Sequence, residues 1–354
     1  MKRIVMFFVT VAVFLSFAGM VFAQGGGSST TTGTSNSFNP AISVNSLFLA
    51  SWRDPASDSD GLKAQEFELA MSAVVDPYFS ADVFVAYEPD PEGPEAQLAI
   101  EEIYARALAL PPGWGLRAGR FFSPFGRHNQ LHTHVFPFVE PPLAIRSIIG
   151  EESAGDVAIE GSYLPDFDWF LNLSAYVGDG AVEGVFDGES RSLAGGARAE
   201  GLWDLSEATT LESGLSFWDG PVEDGRRTFL GMDVRVKYVD IRKSQGAIVD
   251  WITELIIDSA AGREDQRGLY SLVRYRFLRR WWMEGGYSLY SFRPDTTSER
   301  FSDHEIRTQL AFVMSEFSAL RLDLSWLNPA GSERELAAQL QFNFNIGSHP
   351  AHAY

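Results

Sequence analysis

Apolar and polar residues alternate with a period of two along most of the chain. In the segment 318–327, for example, Leu320, Leu322 and Leu324 alternate with Arg321 and Asp323. Successive side chains of a β-strand point to opposite faces, so this pattern gives each segment one apolar and one polar face. The i, i+3, i+4, i+7 spacing of an amphipathic helix is nowhere sustained for more than about three turns. The pattern therefore predicts an all-β protein.

The alternation predicts sixteen strands, an even number. They fall at 41–52, 64–75, 78–88, 97–109, 114–122, 155–163, 169–177, 192–203, 208–218, 227–239, 248–257, 267–277, 281–292, 304–314, 318–327 and 334–346. Their lengths cluster near the roughly 9–11 residues that a tilted strand needs to cross a bilayer. Aromatic residues lie mainly at the strand ends, where the two membrane interfaces would be.

The connections alternate between long and short. Long ones such as PDPEGPEA and DGPVEDGR follow the odd strands, and short ones such as LPPG, DLSE and LRR follow most even strands. Outer-membrane barrels alternate long extracellular loops with short periplasmic turns. The sequence therefore predicts a 16-stranded antiparallel transmembrane β-barrel over 41–346, with a long third extracellular loop. The alternative, a soluble β-sandwich, would place its aromatic residues in the middle of the strands.

Both ends of the chain differ from the barrel pattern. Residues 1–23 have the basic start, apolar run and small-residue site of a signal peptide, and a Gly/Ser/Thr tract within 24–40 predicts a flexible segment. That site and tract favour a signal peptide over a membrane anchor. Residues 347–354 form a tail that carries His349 and His352. We therefore expect the protein in the outer membrane, with lipid around it.

Charge and cysteine content exclude several classes of function. With 47 Asp+Glu against 28 Lys+Arg, the formal net charge is −19, which disfavours binding to nucleic acid or to anionic lipid headgroups. The chain has no Cys. It therefore has no disulfide, no thiolate metal site and no cysteine nucleophile.

In such a barrel the polar strand faces line the lumen, and acids outnumber bases on them. Glu66 and Glu68 belong to this face, and a lumen of this sign should favour cations. The alternative is that these charges pair across neighbouring strands. The residues predicted to line the pore or its constriction are Arg127, Glu140, Arg146, Glu151, Glu152, Asp156, Glu160, Arg198, Glu200, Arg235, Arg274, Arg276, Arg307, Arg321 and Asp323.

The whole pattern resembles the bacterial outer-membrane porins. In porins the long third loop folds into the barrel and narrows the pore, and here the matching connection runs from Ser123 to about Ala154. The resemblance implies passive diffusion of small hydrophilic solutes or cations, without a required cofactor. It also implies a homotrimer.

The third loop contains three of the six histidines. His128, His132 and His134 have the spacing H-x3-H-x-H, and acidic residues follow them. Neutral imidazoles and carboxylates suit Zn²⁺ or a similar divalent cation. The alternative is that these histidines hydrogen-bond the lumen wall and fix the loop. His349 and His352 form a second pair, for which an exposed tail is the simpler interpretation.

The strings FGRHNQLHTH, P-F-x-E-x-P-L and GEES-x-GD, with the closing HPAH and an aromatic residue, resemble a second group of proteins. This is a family of outer-membrane β-barrels described as zinc-regulated receptors or porin-like proteins. The resemblance implies metal-linked uptake. A chain of 354 residues is too short for a 22-stranded receptor barrel with a plug domain, so a porin-sized channel fits better.

An enzyme is disfavoured. The best triad candidate is the run Ser302, Asp303, His304 and Glu305, but adjacent strand residues point to opposite faces and cannot converge. Two hypotheses remain, a cation-preferring diffusion porin and a divalent-metal binding or uptake protein that uses the loop histidines.

Overall fold

The computed structural model describes residues 40–57, 60–89, 96–187, 192–223, 225–240, 246–260, 265–293 and 299–347. The predicted signal peptide, nearly all of the 24–40 segment, and residues 348–354 of the tail, with His349 and His352, lie outside the described residues.

Each of the sixteen predicted segments forms a strand. The strands are β1 (Ala41–Asp54), β2 (Gly61–Val74), β3 (Phe79–Pro89), β4 (Ala96–Ala107), β5 (Trp114–Phe122), β6 (Gly155–Tyr163), β7 (Phe170–Gly178), β8 (Ala194–Ser206), β9 (Thr209–Val222), β10 (Gly225–Val239), β11 (Ile248–Ala260), β12 (Gln266–Leu278), β13 (Trp281–Phe292), β14 (Phe301–Ser315), β15 (Ser318–Asn328) and β16 (Glu335–Gly347).

The strands form one closed antiparallel barrel. Each strand pairs with the next along the chain, and β1 pairs with β16 over a continuous register that includes Leu47 opposite Asn343. Closure gives every strand two neighbours and so removes the unpaired edges of an open sheet. The predicted all-β, 16-stranded barrel is confirmed.

The period-two pattern separates the two surfaces of the wall. On β10, Leu230 and Met232 are 53% and 47% exposed on the outside, whereas Asp233 is 2% exposed on the lumen side. An apolar outer band with a charged interior is the arrangement expected of a barrel in lipid. Among the described residues, no helix has the length and apolar character needed to cross a membrane.

One predicted long connection is instead a tight hairpin. The segment DGPVEDGR was expected to be a loop, but Asp219 pairs with Thr228 and Val222 pairs with Gly225. The Thr228 hydroxyl donates a hydrogen bond to the Asp219 carboxylate at 2.7 Å. This cross-strand bond satisfies polar side chains within the ladder, so polar composition alone did not mark a loop there.

The two ends of the barrel are distinguished by the connections that they carry. The end where β1 finishes at Asp54 also carries residues 123–154, between β5 and β6, and we call it the loop end. The opposite end, which carries residues 75–78 between β2 and β3, is called the turn end. Residues 123–154 are called loop 3.

Candidate functional site

Loop 3 folds into the barrel and packs against the inside of its wall. It contains two 3₁₀ turns, His128–Gln130 and Thr133–Val135, and a short helix, α1 (Leu143–Ile148). Its side chains Phe125 and Phe138 are 0% and 2% exposed. The loop therefore fills part of the lumen.

An aromatic cluster fixes the beginning of the loop against β9 and β10. The ring of Phe125 lies 5.6 Å from Trp218 and 5.9 Å from Phe229, measured between centroids. Phe186, from the connection between β7 and β8, adds a ring 4.8 Å from Trp218. Rings at these separations bury much apolar area and interact through tilted or edge-to-face contacts, which stabilises the loop inside the barrel.

Two wall glycines allow the later part of the loop to approach β12 and β13. A Cβ at Gly268 would lie 2.8 Å from Cδ1 of Ile148, and a Cβ at Gly286 would lie 3.0 Å from the ring of Phe138. Both distances are too short for an ordinary carbon contact. Strand glycines at these positions therefore provide the space for α1 and Phe138.

Glu140 is the main charged anchor of the loop. Its carboxylate accepts hydrogen bonds from Arg53 at 2.9 Å, Arg307 at 3.0 Å and Gln339 at 2.5 Å. Burial alone would raise the pKa of Glu140, but the guanidinium groups of Arg307 and Arg53 lower it to about 2. Glu140 is therefore ionised and joins loop 3 to β1, β14 and β16.

Backbone groups of the loop also bind wall side chains. Arg321 donates a hydrogen bond to the carbonyl oxygen of Phe136 at 2.7 Å, and the amide of Val139 donates one to Asp323 at 3.3 Å. Backbone groups need such partners where they are buried away from water, as they are at Phe136 and Val139. Two of the predicted lumen residues, Arg321 and Asp323, thus hydrogen-bond the backbone of loop 3 and hold it against the wall.

Most of the other predicted pore residues lie in ion pairs. The pairs are Arg127 with Glu212 (2.6 Å), Arg146 with Glu305 (2.7 Å), Glu160 with Arg117 (2.5 Å), Arg198 with Asp233 (2.6 Å) and Glu200 (3.0 Å), Arg235 with Asp250 (2.7 Å), and Arg274 with Glu284 (3.0 Å). Many of these charges are thus neutralised locally, as the cross-strand pairing alternative describes.

The remaining predicted residues have different surroundings. Arg276 donates a hydrogen bond to the carbonyl oxygen of Gly246 at 2.9 Å. Glu151 and Glu152 are exposed just after α1. Asp156 is fully buried at the start of β6 and accepts a hydrogen bond from the amide of Gly180 at 3.4 Å.

A polar cavity of about 310 Å³ remains between loop 3 and the strands β3 to β7. Of the predicted residues, Glu160 and His132 line it, together with Asp82, Glu102, Arg106 and Arg117. The Arg106 side chain is 43% exposed and lies near the end of β4, so the cavity faces the turn end of the barrel.

His132 and His134 meet a group of buried glutamates at the inner end of this cavity. Nδ1 of His132 lies 3.0 Å from Glu68 and 3.1 Å from Glu101, and its Nε2 lies 3.1 Å from Glu102. Nδ1 of His134 lies 3.3 Å from the same Glu68 oxygen. Burial alone would lower the pKa of His132, but its hydrogen bonds to these carboxylates raise it well above its usual range.

A β-bulge explains how two adjacent glutamates of β4 reach one histidine. The register opposes Phe84 to Glu102 but Val85 to Ile100, so Glu101 is an extra residue without a partner across the ladder. A bulge rotates the strand and lets consecutive side chains face the same side. Glu101 and Glu102 are accordingly 8% and 7% exposed, both on the lumen side.

Sequence reasoning missed Glu101 and Glu102 as candidates, although a signal was present. Leu98 and Ile100 are apolar at even positions, whereas Ile103 is apolar at an odd one, and the phase changes at the two glutamates. Such a phase change within a strand is the pattern that a bulge produces.

His128 does not join the other two histidines. Its ring lies 4.5 Å from Phe136 and 6.2 Å from Tyr270 between centroids, and the residue is 1% exposed. Burial lowers the pKa of His128 to about 3, so its imidazole is neutral. Its backbone amide donates a hydrogen bond to Glu254 at 3.1 Å. The three-histidine ligand set suggested by the spacing is therefore not assembled here, and the set that does assemble uses glutamates.

His304 and Glu305 lie on opposite faces of β14. Nδ1 of His304 is 2.7 Å from the Tyr287 hydroxyl, and that tyrosine is 41% exposed on the outer face. Glu305 is 2% exposed and pairs with Arg146 of α1. The divergence expected from strand geometry is therefore observed.

Comparisons with known proteins support this architecture. No family model matches the chain. An uncharacterised protein of Aquifex aeolicus is 26% identical, over 84% of this chain and 71% of that protein.

Solved porin structures share the fold at low sequence identity. An anion-selective porin from Comamonas acidovorans has a TM-score of 0.60 and 13% identity, over 87% of this chain and 100% of that one. Salmonella typhi OmpF in complex with daunomycin has a TM-score of 0.61 and 9% identity, over 87% and 97%. OmpT of Vibrio cholerae in its trimer form has a TM-score of 0.56 and 7% identity, over 86% and 99%. The fold is therefore that of the outer-membrane porins.

Proposed function

We propose that the protein is an outer-membrane channel through which small hydrophilic solutes diffuse passively. The observation that most supports this proposal is a closed barrel with an apolar outer face and a polar cavity of about 310 Å³ beside its internal loop. The porin fold of the solved structures supports the location, and the predicted signal peptide at 1–23 provides a route for export. Catalysis is not part of the proposal.

Loop 3 is the constriction of this channel. It occupies the lumen from β9 round to β1, where Phe125, Glu140 and α1 are held against the wall. The cavity beside β3 to β7 then forms the turn-end portion of the aqueous path. Its inner end lies at His132 and Glu102, so solutes reach this pair at the narrow part of the channel.

A preference for cations follows from the summed charge. The chain has a formal net charge of −19, and Asp82, Glu102 and Glu160 line the cavity together with Arg106 and Arg117. Acidic side chains along a pore raise the local concentration of cations. The Comamonas porin, which shares the fold, is described as anion-selective. The fold alone therefore does not determine ion selectivity, and the side chains that line the pore must do so.

Planar-bilayer recording tests this function. Purified protein should give stepwise conductance, and under a KCl gradient the reversal potential should have the sign of a cation-preferring pore. A reversal potential of the opposite sign would contradict the cation preference. Absence of conductance in correctly folded protein would contradict the channel itself.

A second candidate function is binding or selective uptake of a divalent metal, with zinc as the metal. The specific observation is the convergence of His132 and His134 on buried glutamates. Imidazole nitrogen and carboxylate oxygen are the donors that zinc uses in proteins, so the residues present fit this ion. Uptake predicts that zinc crosses the barrel in liposomes faster than magnesium does, which a zinc-sensitive dye trapped inside would report.

We also propose that the barrel assembles as a homotrimer in the outer membrane. The support is the structural likeness to Vibrio cholerae OmpT, which is described in a trimer form. Chemical cross-linking of the protein in lipid should give dimer and trimer bands. A single monomer band at saturating cross-linker would contradict the trimer.

A further inference from the structure

The histidines of loop 3 and the glutamates of β2 and β4 form a compact group of ligand atoms inside the barrel. We propose that this group binds one divalent transition-metal ion, whose ligands are drawn from Glu66, Glu68, Glu101, His132 and His134. The inference rests on the second function proposed above and gives it a ligand set that differs from the three-histidine motif. It does not depend on conduction.

The geometry supports a single small ion. One ligand atom from each of Glu66, Glu68 and His134 lies within 4.8 Å of the other two, and the same holds for Glu68, Glu101 and His132. Two donors on a tetrahedral zinc ion, each about 2.0–2.2 Å from it, are roughly 3.4 Å apart. The histidine-to-carboxylate distances of 3.0 to 3.3 Å are already close to that value. Glu68 belongs to both triads, so an ion beside it is within reach of both histidines.

Glu66 provides an independent indication. The residue is 4% exposed, and among the described residues none donates a hydrogen bond to its Oε1. A buried carboxylate oxygen without a donor is costly, because it has lost water and gained nothing in return. A cation beside the Glu66 carboxylate would supply the missing interaction.

The type of positive partner distinguishes this cluster from the rest of the lumen. Several other buried carboxylates in the described lumen pair with guanidinium groups, as Asp258 does with Arg227 at 2.8 Å. A guanidinium group stays protonated and offers only hydrogen-bond donors, so it cannot ligate a metal. An imidazole can present a nitrogen lone pair once a metal ion displaces its proton. Glu68 and Glu101 face imidazoles, so their surroundings have the chemistry of a metal site.

One residue of the cluster borders the polar cavity. His132 belongs to the metal-ligand group and also lines the polar cavity that faces the turn end. A hydrated ion that enters this cavity would therefore meet His132 first. The remaining ligands lie behind it, where they are almost fully buried and can replace the water of the ion.

Binding would join three separate parts of the chain. Glu66 and Glu68 lie on β2, Glu101 lies on β4, and both histidines lie on loop 3. An ion held by all three would fix the loop to the wall on the side where the cavity lies. Occupancy would then stabilise the folded barrel, because the unfolded chain does not bring these ligands together.

The test uses the full-length barrel, refolded in detergent, stripped with EDTA and dialysed against Zn²⁺. We expect about one zinc ion per chain by elemental analysis, with Mg²⁺ in excess unable to displace it, because mixed imidazole and carboxylate sites select zinc over magnesium. Zinc should also raise the thermal unfolding midpoint of the wild-type protein, a readout that needs no variant.

Matched variants then identify the ligands. Loss of a group that only hydrogen-bonds a metal ligand typically weakens metal affinity roughly 10- to 100-fold. Glu66→Gln and His134→Asn each remove a ligand itself, so each should weaken zinc affinity by more than that. The control is His304→Asn, which removes an imidazole on the outer face and should leave affinity unchanged. Heat-modifiable migration on gels shows that each variant has folded.

Several results would overturn the site. These are zinc content near zero, no shift of the wild-type unfolding midpoint with zinc, or equal affinity in the His134→Asn and His304→Asn proteins. Failure of the channel would be recognised separately. Stoichiometric zinc binding without bilayer conductance would remove the diffusion proposal and leave the site, and conductance without zinc binding would do the reverse.

Discussion

Loop 3 meets the barrel wall in two different ways. From β9 round to β1, which we call the sealed sector, aromatic rings, close glycine contacts and arginine–carboxylate pairs hold the loop in place. Along β3 to β7, which we call the cavity sector, a polar space of about 310 Å³ remains beside the loop. At the edge of that space, imidazoles rather than guanidinium groups face the carboxylates.

The difference shows that strands with the same alternating pattern can either pack closely against loop 3 or leave a polar space beside it. In the sealed sector several buried charges face an opposite charge, as Glu305 does Arg307, so their fields are largely neutralised. Beside the cavity sector the cluster is rich in carboxylates, and its imidazoles have the chemistry to bind an ion. The proposed transport and ion binding should therefore depend on the cavity sector, and stability on the sealed sector.

Loss of Arg307 should have the largest effect. This side chain is 3% exposed and pairs with the buried Glu305 and the partly exposed Glu140, so Arg307→Ala leaves both carboxylates without it. Removing one member of a buried ion pair costs about 3–5 kcal/mol. Urea unfolding of the detergent-solubilised barrel measures this loss. Arg334→Ala, which changes an exposed arginine, is the control. Similar losses in both proteins would contradict the importance of the sealed sector.

Added volume at Gly286 should have a smaller effect. A Cβ there would lie 3.0 Å from the Phe138 ring, whereas a Cβ at the adjacent Gly285 has no neighbour within 4 Å. Overpacking of a closely packed contact costs about 1–3 kcal/mol, so Gly286→Ala should lower the free energy of unfolding by that amount. Gly285→Ala should not lower it. A lack of difference between the two variants would show that Phe138 does not pack on the wall in solution.

The sealed sector should also weaken in acid. Because the pKa of Glu140 is lowered from 4.5 to about 2, its contribution to stability is complete above the unfolded-state pKa and is lost as pH falls toward 2. The difference in stability between wild-type and Glu140→Gln proteins should therefore shrink over this range. Unfolding curves at several pH values measure it. A constant difference would exclude ionised Glu140 as the anchor.

The smallest effect should come from a single charge in the cavity sector. Glu160 lines the cavity and pairs with Arg117, so Glu160→Gln removes one negative charge from the proposed path. The cation preference in a KCl gradient should decrease. Stability should fall less than in Arg307→Ala, because the introduced amide oxygen can still accept a hydrogen bond from Arg117. Glu335→Gln, at an exposed strand end, is the control. An unchanged reversal potential would place the conducting path elsewhere.

Much of the fold follows from the sequence because one local rule governs it. Residues alternate along each strand because one face is apolar and the other lines the lumen. This alternation predicted the position of all sixteen strands. The errors lie where pairing overrides composition, as at Asp219 and Thr228. There, a hydrogen bond across the ladder stabilises strand structure in a segment rich in turn-forming residues.

The candidate site was less predictable, because it depends on contacts between distant segments. The spacing of His128, His132 and His134 indicated possible ligands, but a 3₁₀ turn and an apolar pocket separate His128 from the other two. Glu101 joins the cluster because of a β-bulge, which a strict period-two pattern does not predict. Which sector the loop would seal depends on the Gly268 and Gly286 contacts, which no local pattern reveals.

The most direct test of the difference between the two sectors is labelling of single cysteines during bilayer recording. The chain has no native Cys, so Ser162→Cys in the cavity sector and Ser288→Cys in the sealed sector each give one thiol. Ser288 is 3% exposed and accepts a hydrogen bond from the amide of Ala144. A cationic methanethiosulfonate added at the turn end should reduce the conductance of Ser162→Cys and leave that of Ser288→Cys unchanged. Block of Ser288→Cys with no effect on Ser162→Cys would contradict the account.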